Sequence, residues 1–99
     1  MIKDYKSLAR LFKDLGNPVR LKVIILLIEN KQKCLCELQP ILKISEPALS
    51  RHINLLIEHK IIAQKREKNR FSLSLKDKNV LKIVKCLKTK NNQIYKKVK

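Results

Sequence analysis

Two cysteines separated by a single residue, Cys34 and Cys36, are the side chains of this sequence best suited to ligand or redox chemistry. Thiolates are soft ligands that select soft metal ions. Side chains at positions i and i+2 share one face of a β-strand, whereas in a regular helix they point about 200° apart. A ligand held by both sulfurs therefore requires a strand-like or distorted segment at this point of the chain.

Three cysteines in a chain expected to be cytosolic do not make a disulfide framework, and a bridge between Cys34 and Cys36 would close a very tight ring. Metal binding or redox sensing is the better functional class, and two small core residues are the alternative. Cys86 lies beside Leu87 and is expected to be a buried structural residue. Its alternative role is a third metal ligand, from the same or a partner subunit.

The residues after the cysteines predict two helices joined by a short turn. Because Pro40 lacks an amide hydrogen and clashes with the carbonyl of residue 36 inside a helix, the first should begin no earlier than about Cys36. After a turn at Lys43, Ser45 is a suitable N-cap for a second helix that runs to about His59. Such a pair is typical of helix-turn-helix proteins. Its inward face is predicted to carry Leu49, Ile53 and Leu56.

Residues 61–75 predict a β-hairpin directly behind the second helix. Residues 61–66 and 70–75 are the arms, and the second arm alternates apolar and polar side chains. The charged tip spans residues 67–69, where Asn69 tolerates the positive φ that a tight turn needs. A hairpin in this position is a wing.

Two amphipathic helices, over about residues 4–15 and 77–95, flank this unit. We expect Gly16 to end the first helix by adopting a positive φ. Asn17 is then the N-cap, and Pro18 the first residue, of an apolar core helix. The stripes of the terminal helices have no obvious partner in so small a fold, which indicates a homodimer interface. The whole of 1–99 is predicted to be one mainly α domain with a small hairpin (α+β), with about five helices and a two-stranded wing.

The chain of 99 residues carries a formal net charge of +16, which makes nucleic acid the default partner. No run of 18 apolar residues is present, so no membrane span is expected. No phosphate-binding loop, nucleophile–base pair or catalytic metal pattern supports an enzyme. We expect a cytoplasmic, non-enzymatic protein that needs no resident cofactor.

Three segments resemble the ArsR/SmtB family of winged-helix repressors: residues 11–21 (LFKDLGNPVRL), 34–38 (CLCEL) and 47–56 (PALSRHINLL). The Cys-x-Cys-Glu-Leu segment resembles the thiolate-sensing, arsenite-type branch. The resemblance implies a homodimeric winged helix-turn-helix that releases DNA on binding a ligand. The chain departs from the family pattern in four places. Gln39 stands where a third cysteine is common, and Lys43 and the wing tip stand where glycines are common. Residues 77–99 contain no His or Glu, which argues against a zinc site there.

Helix-turn-helix docking places the start of the second helix in the major groove of double-stranded DNA, with the wing on phosphates or the minor groove. A dimer asks for an inverted-repeat operator. His52 and His59 are seven residues apart, and His59 is expected to be a surface residue. The candidate DNA contacts are Ser45, Glu46, Pro47, Ser50, Arg51 and His52 on the helix, and Lys65, Arg66, Lys68, Asn69 and Arg70 on the wing.

These observations predict a repressor released when As(III), Sb(III) or another soft metal binds Cys34 and Cys36. Capture by both thiols would pull the start of the helix-turn-helix out of register and move the recognition helix. Two alternatives remain open. One is a redox or persulfide sensor that uses the same thiols through a Cys34–Cys86 or intersubunit bridge. The other is a winged-helix regulator with no small inducer.

Overall fold

Five helices and three strands make up the described part of the chain, residues 4–30 and 32–97, in a computed structural model. The predicted winged helix-turn-helix architecture is confirmed, with one more strand than expected. In chain order the elements are α1 (Tyr5–Leu15), α2 (Pro18–Asn30), β1 (Gln32–Cys34), α3 (Leu35–Leu42), α4 (Glu46–Glu58), β2 (Ile62–Glu67), β3 (Arg70–Leu75) and α5 (Lys78–Lys97).

The junction between α1 and α2 is built by side-chain caps. Asn17 Oδ1 accepts hydrogen bonds from the amides of Val19 and Arg20, at 2.9 and 3.1 Å, so its predicted role as N-cap is confirmed. The prediction for Gly16 was wrong, because its φ is −79°. A left-handed residue is not needed here, since Arg20 donates to the last carbonyls of α1. Glycine suits the position because a Cβ would lie 3.2 Å from the carbonyl oxygen of Phe12.

Helix α3 begins one residue earlier than predicted, at Leu35, and carries Pro40 in its interior. Pro40 provides no amide for the carbonyl of Cys36, so this eight-residue helix lacks one of its internal hydrogen bonds. Burial of Leu38, which is fully inaccessible, holds the helix on the core instead. The turn that follows contains Lys43 in the left-handed conformation, with φ of 56°.

Helix α4 packs as the sequence predicts. The hydroxyl of Ser45 accepts a hydrogen bond from the amide of Ala48 at 3.3 Å, which confirms the N-cap. The helix ends at Glu58, followed by Lys60 in the left-handed conformation (φ 63°). Its inward face consists of Leu49, Ile53 and Leu56, each at most 3% exposed.

The sheet has three antiparallel strands in the order β1-β3-β2, so β3 lies between the wing arm β2 and the short strand β1. Cys34 in β1 is paired with Ser72 in β3. The two-stranded prediction missed β1 because three residues carry too little pattern to identify a strand. Asn69 was also wrong as the left-handed residue of the wing turn, since Lys68 adopts the positive φ, 56°.

The core lies between α2, the helix-turn-helix pair and the inner face of the sheet. Helix α5 joins it through Val80, which is fully buried, and Asp77 caps that helix by accepting from the amides of Asn79 and Val80. None of the helices in the described ranges is both long enough and apolar enough to cross a membrane. The core residues besides those of α4 include Val23, Ile24, Leu27, Leu38, Ile61, Ile62 and Leu73.

Candidate thiol site and nucleic-acid interface

Cys34 and Cys36 meet where strand β1 turns into helix α3. Cys34 keeps extended backbone angles (φ −77°, ψ 146°), while Cys36 already lies in the first turn of the helix. This change of conformation brings the two side chains together. A regular helix would have pointed them about 200° apart. The structure joins them as a disulfide, with the sulfur atoms 2.50 Å and the Cα atoms 5.2 Å apart. The pairing differs from the Cys34–Cys86 or intersubunit bridge of the redox hypothesis.

Cys34 is also the N-cap of α3. Its Sγ accepts a hydrogen bond from the amide of Cys36 at 3.3 Å, and the amide of Cys34 donates to Oε1 of Glu37 at 2.8 Å. This bond lowers the pKa of Glu37, and the charges of Lys33 and Arg70 lower it further. The sulfur that can bind a ligand therefore also satisfies an amide at the start of the helix.

Glu37 connects the thiol site to the wing. The same Oε1 atom that accepts from Cys34 lies 3.3 Å from a guanidinium nitrogen of Arg70, at the first position of β3. Both side chains are about half exposed, so the pair is worth little as an isolated salt bridge. The pair matters because it connects two sites: the same carboxylate oxygen contacts the amide of Cys34 at the helix cap and Arg70, a predicted DNA-contacting residue.

Both cysteines line an open groove of about 330 Å³ between α3, α4 and the wing. The groove brings together members of three sets that the sequence predicted separately: the thiols, Glu46 at the start of the recognition helix, and Asn69 and Arg70 of the wing. A second, smaller groove contains Cys34 but not Cys36, and it has a charged lining. The full lining of the larger groove is Cys34, Leu35, Cys36, Gln39, Glu46, Leu49, Asn69, Arg70 and Phe71.

The third ligand left open by the sequence is not supplied within the described ranges. Among those residues no group of three or more His, Cys, Asp or Glu side chains is placed to hold a metal ion. Cys86 was expected to be buried, which was wrong: it is a free, exposed cysteine on α5, since the apolar stripe turns away from the core beyond Val84. A ligand at Cys34 and Cys36 thus finds two protein sulfurs.

The predicted contacts on α4 lie around its N-terminus. Arg51 is exposed, while Ser50 and His52 are half-buried. Ser45 is exposed too, but its hydroxyl already accepts the hydrogen bond of the helix cap. Glu46 and Pro47 form the exposed first turn. Among the contacts described for this end of the helix, Arg51 makes no hydrogen bond or salt bridge, so it presents an exposed cationic side chain.

The wing presents five exposed predicted contacts along β2, the turn and β3. Two of them have partners within the chain. The guanidinium of Arg66 lies 5.8 Å from the ring centroid of Phe71, within cation–π distance, and Arg70 pairs with Glu37. The five residues are Lys65, Arg66, Lys68, Asn69 and Arg70.

His52 is held by Arg20 of α2. The guanidinium of Arg20 donates to the carbonyl oxygens of Asp14 and Lys13, at 2.9 and 3.3 Å, and lies 3.2 Å from Nδ1 of His52. Burial lowers the pKa of His52, and the charges of Arg20 and Arg51 lower it further. Nδ1 therefore accepts from Arg20, and the neutral ring carries its proton on Nε2.

Sequence reasoning also missed a contact between the end of α1 and the residue that follows the recognition helix α4. Nδ1 of His59, which follows α4, lies 2.6 Å from Oδ2 of Asp14 at the end of α1. The Asp14 side chain is 5% exposed and that of His59 18%, so the prediction of His59 as a surface residue was wrong. No local pattern marks this pair, because its two residues are 45 positions apart in the sequence.

Comparison with known proteins places these features in one family. Residues 17–63 match the model of the bacterial regulatory protein arsR family. An HTH-type transcriptional regulator of Methanocaldococcus jannaschii is 32% identical over 87% of this chain and 97% of its own length. The arsenical resistance operon repressor of Staphylococcus xylosus is 30% identical over 73% of this chain and 68% of its own length.

A solved structure agrees with the fold. The transcriptional repressor BigR of Xylella fastidiosa superposes with a TM-score of 0.77 at 28% identity, covering 86% of each chain. These proteins are regulators rather than enzymes, and the solved structure shares the fold described above. The chain belongs to the ArsR family and is a DNA-binding transcriptional repressor of the winged helix-turn-helix type.

Proposed function

We propose that this repressor leaves its operator when a thiophilic metalloid, arsenite or antimonite, binds Cys34 and Cys36. The observation that carries the proposal is the strand-to-helix junction that puts both sulfurs together at the start of the helix-turn-helix. The relationship to an arsenical resistance operon repressor supports the same ligand class. Arsenous acid exchanges two hydroxyl groups for two thiolate sulfurs, and the two thiol protons leave in two water molecules.

Ligand binding changes the cap of α3 directly. A sulfur bonded to arsenic is a poorer acceptor for the amide of Cys36, and a fixed S–As–S angle sets a new distance between the two residues. Glu37 and the Cys34–Ser72 strand pairing pass this displacement to the wing. Leu38 packs in the same core as Leu49 of α4, so the recognition helix moves as well. Operator affinity falls because the ligand prefers the displaced state.

DNA recognition divides between the two predicted surfaces. Arg51 and the neighbouring Ser50 and His52 read base edges or hold phosphates in the major groove, with Ser45, Glu46 and Pro47 at the helix start. The wing residues Lys65, Arg66, Lys68, Asn69 and Arg70 contribute affinity and salt dependence.

The repressor acts as a homodimer in the cytoplasm on an inverted-repeat operator. Helix α1 exposes two aromatic side chains, Tyr5 (74%) and Phe12 (54%), and α5 exposes Leu87 (44%). Exposed large apolar side chains on both terminal helices are explained by burial against a second copy. The helices over about 4–15 and 77–95 then form the interface, and the two recognition helices read the two half-sites.

One observation favours a second candidate, a redox-sensing repressor. The two sulfurs lie close enough to pair as a disulfide. That state forms when two thiols give two electrons and two protons to an oxidant such as hydrogen peroxide, which leaves as water. The disulfide fixes the same junction that arsenic would bridge.

The decisive experiment is fluorescence anisotropy on labelled DNA from upstream of the gene. Reduced wild type, the Cys34→Ser/Cys36→Ser variant and the matched control Cys86→Ser are each titrated with arsenite. Release from wild type and Cys86→Ser, but not from the double variant, is the expected result. Tight binding unmoved by arsenite would contradict the metalloid proposal, and release by peroxide instead would establish the redox candidate.

A further inference from the structure

Helix α4 is tied to the end of α1 by both of its histidines. Because seven residues are close to two helical turns, His52 and His59 lie toward the same side of α4. His59 contacts the carboxylate of Asp14, the buried residue near the end of α1. His52 is held through Arg20, which also donates to two carbonyl oxygens at that end of α1. The recognition helix therefore takes its position from α1.

The guanidinium of Arg20 uses all three of its nitrogens in these contacts. Nε lies 2.9 Å from the carbonyl oxygen of Asp14, Nη2 lies 3.3 Å from that of Lys13, and Nη1 lies 3.2 Å from Nδ1 of His52. Carbonyls at the end of a helix are only partly satisfied within it and carry partial negative charge, so they hold a cation well. The guanidinium is planar, and it cannot rotate without losing these bonds.

The other ring nitrogen of His52 is free to bind. A guanidinium has no lone pair to accept a hydrogen bond, so Nδ1 is the acceptor and the neutral ring carries its proton on Nε2. Nε2 has no hydrogen-bond partner among the described residues. No nitrogen or oxygen of a buried or half-buried side chain in those ranges is both inaccessible and unpaired, so Nε2 is open to solvent. His52 thus offers one donor in a direction that Arg20 fixes.

A neutral donor of fixed direction suits a base better than a phosphate. The chain has 24 lysines and arginines for phosphate contacts, whereas Arg20 and Arg51 both disfavour a charge on this ring. The major groove presents uncharged acceptors, which are purine N7, guanine O6 and thymine O4. We infer, on the basis of the proposed placement of α4 in the major groove, that Arg20 is a positioning residue for DNA recognition. It holds His52 so that Nε2–H donates to an acceptor on a base edge.

The experiment compares a labelled duplex that wild-type protein selects from a random pool with a scrambled duplex of the same length. The ratio of the two dissociation constants reports base recognition, because phosphate contacts contribute to both constants alike. His52→Ala should lower this ratio about fivefold through the loss of one hydrogen bond. Arg20→Lys should lower it nearly as much, because an ammonium group lacks the planar fork. Arg10→Lys, the same exchange at an exposed position of α1, should leave the ratio unchanged.

Two further readouts separate positioning from a merely structural role. In the His52→Ala background, Arg20→Lys should cause no further loss of the ratio, because its effect passes through the imidazole. A structural role would lower the ratio by the same factor in both backgrounds. NMR of isotope-labelled histidine should show the ring of His52 protonated on Nε2 and not on Nδ1 at neutral pH. The chain has two histidines, so the His52→Ala variant identifies the signal.

Each contrary result overturns a defined part of the proposal. An unchanged ratio in His52→Ala, or an equal loss of affinity for both duplexes, would overturn the base contact. A further loss in the double variant, or a proton on Nδ1, would overturn the role of Arg20. If Arg51→Ala still lowers the ratio, the placement of α4 in the major groove stands. An unchanged ratio in both His52→Ala and Arg51→Ala would overturn that placement as well.

Discussion

Replacing His59 by alanine leaves the buried carboxylate of Asp14 without its hydrogen-bond partner. The carboxylate side chain is 5% exposed and lies 2.6 Å from the lost nitrogen, so water replaces the imidazole only in part. An unsatisfied buried polar group costs about 1–3 kcal/mol, and removing one partner of a fully buried ion pair costs about 3–5 kcal/mol. Because the His59 side chain keeps 18% exposure, we expect a loss of about 2 kcal/mol in the free energy of unfolding.

The assay is urea unfolding followed by the far-ultraviolet circular dichroism of the helices, at one fixed protein concentration. His59→Asn keeps a donor at nearly the same place and should lose less than half as much as His59→Ala. In Asp14→Asn/His59→Ala the buried charge is gone, so the double variant should lose less than the sum of the single ones, by about 1 kcal/mol. A His59→Ala protein within about 0.5 kcal/mol of wild type would refute the reasoning.

Three further predictions concern Arg51, Lys43 and His52. Arg51→Ala should abolish operator preference in anisotropy titrations while the urea midpoint stays that of wild type, and unchanged operator affinity would rule out Arg51 as a base contact. Lys43→Gly should raise the free energy of unfolding by up to about 1 kcal/mol by removing left-handed strain, whereas Lys22→Gly inside α2 should lower it by about as much. Because burial lowers the pKa of His52 below 6.5, the unfolded chain binds a proton first on acidification. Stability should therefore be lost from about pH 6.5 downward, and a His52→Gln protein with the same pH slope would contradict this.

The helices were predictable where a capping residue stands directly before apolar residues that repeat at helical spacing. Asn17-Pro18 and Ser45 mark helix starts by local chemistry, and Leu49, Ile53 and Leu56 repeat often enough to identify the buried face of α4. The same holds for the hairpin, whose second arm alternates. These features depend on residues within one or two turns of each other, which a sequence displays directly.

What the sequence could not supply depends on distant partners. Strand β1 has three residues and is recognisable only through its pairing with β3. Helix α3 tolerates Pro40 because burial of Leu38 outweighs the missing hydrogen bond, a balance that no local rule contains. The candidate site was predicted as three separate sets of residues, since nothing in the order of residues says that Glu46, Asn69 and the two thiols share a groove.

The construction of α3 affects how sensitive the repressor can be. Helix α3 has little stability of its own, because it has only eight residues. Its N-cap is the sulfur of Cys34, Pro40 provides no amide, and Lys43 ends the helix in the left-handed conformation. The packing of Leu38 therefore holds this segment in place, and a ligand that prefers another arrangement of its first turn has to outweigh that packing alone to redistribute the population. Under the proposed function, the ligand concentration that releases the DNA is set partly by the rigidity of α3, so evolution can retune this threshold without altering a residue that touches ligand or DNA.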